Sequence, residues 1–420
     1  MPRSLAFDVL TVTLHSSQPF DDAFNQHPRV NKLEPRDRGF AFNIVITTLR
    51  HLGQIDDIID KCLDKKLPPK ARLAKIILRI GICQLLFLDT PQHAAVSTSV
   101  DLADQQKQGP YKKLINAILR RVTREREKLL AGQDIEKLNT PSWLWDSWAQ
   151  AYGEETTRRI AAAHLEMPAL DLSVKSDPAG WAEKLEAQFL PTGGIRLPAS
   201  TNVTELAGYE DGAWWVQDAA ASLPAQLFGK DLTGKKIADI CAAPGGKAAQ
   251  LLAAGAEVIA LDRSEKRLVT LAENLSRLAL TAETICADAA AWRPDVLLDG
   301  VLLDAPCSAT GTIRRHPDVQ NLKREKDVSH AHQAQLRLLN AAAEMVKPEG
   351  IIVFATCSLQ PEEGPDVIEA FLTAHPNWQR QPINAQEIGD NAEFITDAGD
   401  LRTFPYFRMD GFFAARLGQK

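Results

Sequence analysis

At 420 residues, with 45% hydrophobic and 24% charged side chains, the chain is too long for one ordinary domain and too apolar to stay disordered. Its longest apolar region, AKIILRIGICQLLFLDT, is interrupted by Arg79, and MPRSLAFDVLTVTLHSS carries an Asp and no small-residue cleavage signal, so neither a membrane span nor a secretory leader is predicted and a cytoplasmic protein is expected. The net charge of −6 hides an asymmetry: residues 1–130 hold 21 basic against 14 acidic side chains, the remainder 27 against 40.

In chain order, apolar residues at three- and four-residue spacing predict helices at about 3–16, 36–50, 55–64, 70–87, 92–106 and 111–130. Residues 1–135 therefore read as an all-helical domain. Basic residues cluster in KCLDKKLPPKARLAKIILR and YKKLINAILRRVTREREK, where the apolar spacing leaves the charges on an outer face, either a solvated surface or a site for a polyanion. Residues 136–230 mix signals. TPSWLWDSWAQAYG opens a helix, ALDLSVKS and GIRLP read as short strands around the helix PAGWAEKLEAQF, and GAWWVQDAAASL turns from strand to helix, giving a small α+β connector. Trp214 and Trp215 fall there as core residues. Over residues 231–420 strands alternate with helices, which predicts a parallel doubly wound α/β sheet of Rossmann-like type.

Such sheets bind ligands at the carboxyl ends of the strands, where the strand order reverses. The strand KIADI leads into CAAPGGK, whose Gly245 and Gly246 let the backbone approach a ligand. The spacing GxGxxG is missing, which disfavours a nicotinamide oxidoreductase, and no GxxxxGK[ST] is present. Later strands end on Asp262, Asp288 and Asp304. Asp262, about 20 residues past the glycine turn, is placed for paired ribose hydroxyls, and Asp288 for an adenine amino group. A nucleoside without a pyrophosphate fits, and S-adenosylmethionine is the candidate. Two further strands end on thiols, Cys307 in VLLDAPCSATG and Cys357 in IIVFATCSL. The other cysteines are scattered, without CxxC pairs, so no disulfide framework and no metal site are expected. Cys62 and Cys83 on helical faces and Cys286 in a strand read as core, and Cys241 opens the glycine loop.

The segments DICAAPGGKAAQL, LDRSEKR, ADA, LLDAPCSATGTIRRHPD and FATCSLQPEE, with VQDAAASL and DGFFAARL at the flanks, closely resemble the successive motifs of the RNA cytosine-5 methyltransferases of the Sun/Fmu/NOL/NOP group. The helical domain, including TPQHAAVSTSVDLA, more loosely resembles the RNA-binding NusB antitermination-factor domain. Together they match the architecture of bacterial 16S ribosomal RNA cytosine-5 methyltransferases over nearly the whole chain. The resemblance implies a class I methyltransferase domain using S-adenosylmethionine, a 16S rRNA partner, free or in an assembling subunit, and a monomer. It implies Cys357 as the nucleophile toward carbon 6 of cytosine and Cys307 as the residue releasing the product. Asp304 is suited to holding or protonating the cytosine edge, or to contacting the methionine part of the cofactor. Cys241, Ala242, Ala243, Pro244, Gly245, Gly246, Lys247, Asp262, Arg267, Asp288 and Asp304 are the implied cofactor-site residues. Arg314, Arg315 and His316 are expected in a loop over the substrate, facing phosphate.

Two competing readings remain at this level. A DNA cytosine-5 methyltransferase also shows Pro-Cys, with Cys307 as its nucleophile, but the second thiol and the NusB-like domain favour RNA. A catalytically silent rRNA assembly factor needs the basic helices but not both thiols.

Overall fold

Helix periodicity in the first third of the chain is realised as helices Pro2–Ser16, Phe20–Asn25, Pro35–Arg50, Leu52–Lys61, Arg72–Leu86, Gln92–Gln105 and Lys112–Arg124 in the computed structural model, which describes residues 1–199 and 201–420. The last predicted helix breaks at Glu125 and resumes over Arg126–Leu130. Helix Arg72–Leu86 is buried on nearly every side, its Ile76, Ile77 and Ile80 being fully enclosed, so it forms the centre of the helical core, while Lys61, Lys65, Lys66, Lys70 and Arg72 of the same basic cluster stand exposed ahead of it or at its start. Arg79 is carried inside because Asp56 accepts from its Nε and Nη2 at 2.8 and 2.7 Å, and from Lys75 at 2.8 Å. The expected outer face holds for helix Lys112–Arg124: Ile115, Ile118, Leu119 and Val122 are buried while Lys113, Arg120 and Arg124 are exposed.

Contacts divide the chain into two compact units, Met1–Glu166 with Arg315–Arg324, and Met167–Arg314 with Glu325–Lys420. The stretch 136–230, read from sequence as one connector, is thus shared between them. Its helices Ile135–Leu138, Ser142–Tyr152 and Glu154–Leu165 join the helical unit. Gln54 and Asn139 make the join, with Asn139 accepting from Gln54 N at 3.1 Å and donating to Gln54 Oε1 at 3.0 Å. The segment Arg315–Arg324 is held in the same unit by Asp318, whose Oδ2 accepts from Phe20 N at 2.9 Å at the start of a helix, where a carboxylate is favoured.

In the second unit, β1 (Leu170–Val174), β2 (Gln188–Phe189), β3 (Ile195–Leu197) and β4 (Trp214–Val216) form a small antiparallel sheet in the order β2-β3-β1-β4. Trp214 and Trp215 are buried, as their reading as core requires. The larger sheet contains β5 (Lys236–Ile240), β6 (Glu257–Asp262), β7 (Glu283–Cys286), β8 (Leu298–Asp304), β9 (Val346–Thr356), β10 (Trp378–Arg380), β11 (Leu401–Arg402) and β12 (Phe413–Gln419). Its order is β10-β12-β9-β8-β5-β6-β7, with β11 beside β12. The five strands β5 to β9 are parallel, and the order reverses between β5 and β8. β12 runs antiparallel to β9, so the sheet is mixed and not wholly parallel. Among the described residues no helix is long and apolar enough to cross a membrane.

A Cβ at Gly53 would stand 1.7 Å from the carbonyl oxygen of Leu138, so the join between helices Leu52–Lys61 and Ile135–Leu138 depends on that glycine. Gly53→Ala is expected to destabilise the helical unit by about 1–3 kcal/mol. Thermal unfolding of the full chain measures it, and an unchanged midpoint would mean that residues 135–139 are not held against that helix.

Candidate active site at the strand ends

The carboxyl ends of β5, β6, β8 and β9 gather most of the residues singled out from sequence. After β5 the chain turns through Cys241 (φ 63°), Ala242, Ala243, Pro244 and Gly245 (φ 104°) into helix Gly246–Ala253. The positive φ at Gly245 explains that glycine. Gly246, by contrast, has room for a Cβ. Lys247, in the first turn of that helix, is buried and donates from Nζ to Asp304 Oδ2 at 2.7 Å. Burial works against its charge, but Asp304 and Asp239 outweigh that and raise its pKa. Its ammonium also lies 5.0 Å from the centre of the Phe412 ring.

Asp262, at the end of β6, is almost fully enclosed, and its Oδ1 accepts from Ser264 N at 2.9 Å. Arg267 Nη1 lies 3.0 Å from Oδ2, near enough for an ion pair but not aligned as a hydrogen bond. Oδ2 therefore keeps an open acceptor position, which a ribose hydroxyl would fill. Arg267 also donates to the carbonyl of Ala243, joining β6 to the glycine loop. A nucleoside is thus suited to this cradle. Asp288, two residues beyond β7, is exposed, accepting from Ala290 N at 3.0 Å and paired with Arg337 at 3.0 Å.

The two thiols meet. β8 and β9 are parallel with Asp304 opposite Ala355, so their loops leave the sheet side by side, and Cys307 Sγ lies 3.3 Å from Cys357 Sγ. Gly311 N donates to Cys357 O at 3.0 Å and Gly411 N to Gly311 O at 2.9 Å. A Cβ on Gly311 would stand 1.9 Å from Gly411 O, so these loops close only with glycine there. The Cys307 thiol is pushed well above its ordinary value by its hydrogen bond to Cys357, by burial and by the charges of Cys357 and Glu363. Burial pushes the thiols of Cys83 and Cys241 up to about 12.

Two expectations need correction. Cys286 is exposed and not core, because β7 is the edge strand and Cys286 is its last residue. Arg314 is buried and not over a substrate: it donates to Asp218 Oδ2 at 3.0 Å, with Asp410 Oδ1 at 3.8 Å. His316 faces Asp21 Oδ2 at 3.1 Å within the helical unit. Two acidic residues inside the same motifs do not stand out from the sequence. Asp239, fully buried on β5, has no side-chain donor on either oxygen among the described residues, and Glu363, fully buried after β9, reaches both thiol loops. Charged residues inside apolar strand and turn segments were the available signal. Among the described residues no group of three or more His, Cys, Asp or Glu is disposed to hold a metal.

Comparison with known proteins follows the same lines. Residues 230–418 match the family described as 16S rRNA methyltransferase RsmB/F, and residues 1–124 match the NusB family. Ribosomal RNA small subunit methyltransferase B of Cronobacter sakazakii is 33% identical over 438 residues, spanning 100% of this chain and 98% of that protein. The solved structure of PH0851 shares the fold at a TM-score of 0.79 and 22% identity, covering 100% of this chain and 99% of that one. NSun6 from Pyrococcus horikoshii, solved with SFG, does so at 0.58 and 18%, covering 66% of this chain and 98% of its own. Fold and family are those of S-adenosylmethionine-dependent methyltransferases. The chain belongs to the RsmB/F family of 16S rRNA methyltransferases.

Burial pushes the Asp239 carboxyl from its usual range up to about 8, with Lys247 opposing and Asp304 adding to the rise. A raised folded-state value costs nothing below the unfolded pKa of about 3.8, and the penalty grows as pH rises toward 8, because only the unfolded chain ionises freely there. Asp239→Asn should therefore gain on the wild type by roughly 1 kcal/mol per pH unit between pH 5 and 7. Denaturant unfolding of the cofactor-free proteins at several pH values tests this, and parallel stability curves would rule it out.

Proposed function

We propose that this protein transfers a methyl group from S-adenosylmethionine to carbon 5 of one cytosine in 16S ribosomal RNA, through a covalent bond between Cys357 and the pyrimidine. The single observation that carries the reading is the pair of thiols 3.3 Å apart at the strand ends beside the reversal of strand order. Carbon 5 of cytosine is too weak a nucleophile to take a sulfonium methyl unaided. A thiolate at 357 adds to carbon 6, and the electron pair of the ring double bond moves onto carbon 5, which takes the methyl group. The electron pair of the broken methyl bond stays on the sulfonium sulfur, which leaves as a neutral thioether. A base then takes the carbon-5 proton, the double bond re-forms and the Cys357 thiolate is expelled, a release that the neighbouring Cys307 serves.

S-adenosylmethionine supplies an electrophilic methyl on a positively charged sulfur. The open acceptor of Asp262 supports binding of its ribose hydroxyls, and the turn from Cys241 to Gly246 supports close approach of the backbone. Asp288 would exchange Arg337 for the adenine amino group. Asp304, held by the Lys247 ammonium, is better supported as an acceptor for the amino edge of cytosine than as an acid. The exposed basic residues of helix Lys112–Arg124 and of 126–128 support an RNA-facing surface on the helical unit, whose sequence matches the NusB family.

Cys357→Ala should abolish methylation and form no covalent species, while Cys307→Ala should complete attack and transfer but stall in release. A protein–RNA adduct should then build up with unmethylated rRNA and S-adenosylmethionine, visible as a slower band on a denaturing gel and lost in the double variant. An adduct in Cys357→Ala that vanishes in Cys307→Ala would reverse the roles. For the cofactor, Asp262→Ala should weaken S-adenosylmethionine binding by about 1–3 kcal/mol, the loss expected for hydrogen bonds to a charged acceptor. Calorimetric titration giving wild-type affinity in the folded variant would remove Asp262 from the site.

A further inference from the structure

One buried carboxylate ties the two thiol loops together. Glu363 closes the turn Pro361–Glu363 after β9 and is fully enclosed. Its Oε1 accepts from Ser308 N at 2.8 Å, the residue after Cys307. Its Oε2 accepts from the Ser308 hydroxyl and, at 2.5 Å, from that of Ser358, the residue after Cys357. The two hydroxyls lie 3.1 Å apart, and Thr310 Oγ1 stands 3.2 Å from Ser358 Oγ. The backbone oxygen of Glu363 accepts from Thr356 Oγ1 at 2.8 Å, on the other side of Cys357. Each thiol is thus fixed through its neighbours to one carboxylate.

Burying a carboxylate is unfavourable, and a neutral side chain could also join two serines. The charge of Glu363 also reaches beyond the two serines. It lies close enough to Cys307 to add to the rise of that thiol. The other charged groups facing the pair are Lys247, whose ammonium responds to Cys357, Asp304 beyond it, and Arg402, which donates to Ser358 O at 2.6 Å.

We infer that Glu363 is a positioning residue that fixes the separation of the two thiols and the order in which they act. Its hydrogen bonds set the geometry, and its negative charge discourages a second thiolate at Cys307, so that the proton stays on Cys307 and Cys357 is the thiol free to attack. The catalytic meaning rests on the roles of the two cysteines proposed above.

Glu363→Gln keeps the size and removes the charge, and Glu363→Asp keeps the charge and shortens the reach. Alkylation of each cysteine by iodoacetamide across pH, read by mass spectrometry without RNA or S-adenosylmethionine, measures its ionisation. In the wild type Cys307 should resist alkylation until the pH is well above that which suffices for an ordinary thiol. In Glu363→Gln its profile should move to lower pH, whereas in Glu363→Asp it should stay. Methyl transfer should show kcat reduced about 10- to 100-fold in both variants, with KM nearly unchanged, as misplacement of reacting groups predicts. Should Glu363→Gln fail to fold, the Ser308→Ala/Ser358→Ala pair keeps the charge and loosens the clamp, and should lower kcat while preserving the alkylation profile of Cys307. Wild-type alkylation profiles and kcat in folded Glu363→Gln, or wild-type kcat in the serine pair, would overturn the inference. Absence of 5-methylcytosine from the wild-type product would instead refute the proposed reaction, leaving the alkylation of Cys307 as a separate test of Glu363.

Discussion

The parallel pairing of β8 with β9 is the constraint on which the site depends. Parallel neighbours end at the same edge of a sheet, so residues that follow them in sequence are delivered to one place from positions 50 apart. Antiparallel pairing would have sent Cys307 and Cys357 to opposite edges. The register, with Asp304 opposite Ala355, decides that the loops are level as well as adjacent. Everything around them then serves to keep that juxtaposition: the approach of Gly411 to Gly311, the carboxylate beneath Ser308 and Ser358, and Gln335 holding the carbonyl of Pro306 at 2.9 Å.

A second constraint is electrostatic. Asp239, Asp262 and Asp304 converge on the glycine loop, where Lys247 is the buried cation. Lys247 is committed to Asp304, and Asp262 has only the half-exposed Arg267 beside it. Asp239 stays neutral below about pH 8, so Asp262 is the acid of this cluster that lacks a buried cation. The cluster also resists ionisation of Cys241, which opens the loop: burial raises its thiol first, and the three nearby aspartates raise it further.

Much of this was legible in the sequence because strand ends announce themselves. An apolar run that stops at Asp, Cys or Gly marks the residue that leaves the sheet, and β5, β6, β8 and β9 all read that way. What escaped had its partner far away in sequence. Arg314 looks like a phosphate ligand until Asp218, 96 positions earlier, is seen to clasp it. Arg79 looks like surface until Asp56 is placed beside it. Glu363 looks like one more acid of FATCSLQPEE until Ser308, 55 positions earlier, is placed on it. Cys286 misled for a different reason: strand propensity does not say whether a strand lies at the centre or at the edge. The antiparallel return of β12 was hidden for the same cause, because alternation along a strand does not reveal the direction of its neighbour.

The basic excess of the first 130 residues is likewise less uniform than a count suggests. A positive side chain attracts phosphate over distance only where it is exposed and not already neutralised. Arg79 and Lys75 spend their charge on Asp56 inside the helical core. Lys113, Arg120, Arg124, Arg126 and Lys128 stand exposed along the helices from Lys112 to Leu130, over a buried apolar stripe that fixes which way they point. The amphipathic period of that region therefore matters more for an RNA-facing surface than the net charge of the unit. In the other cluster only Lys75 and Arg79 are spent on the core, while Lys61, Lys65, Lys66, Lys70 and Arg72 stand exposed ahead of the central helix or at its start.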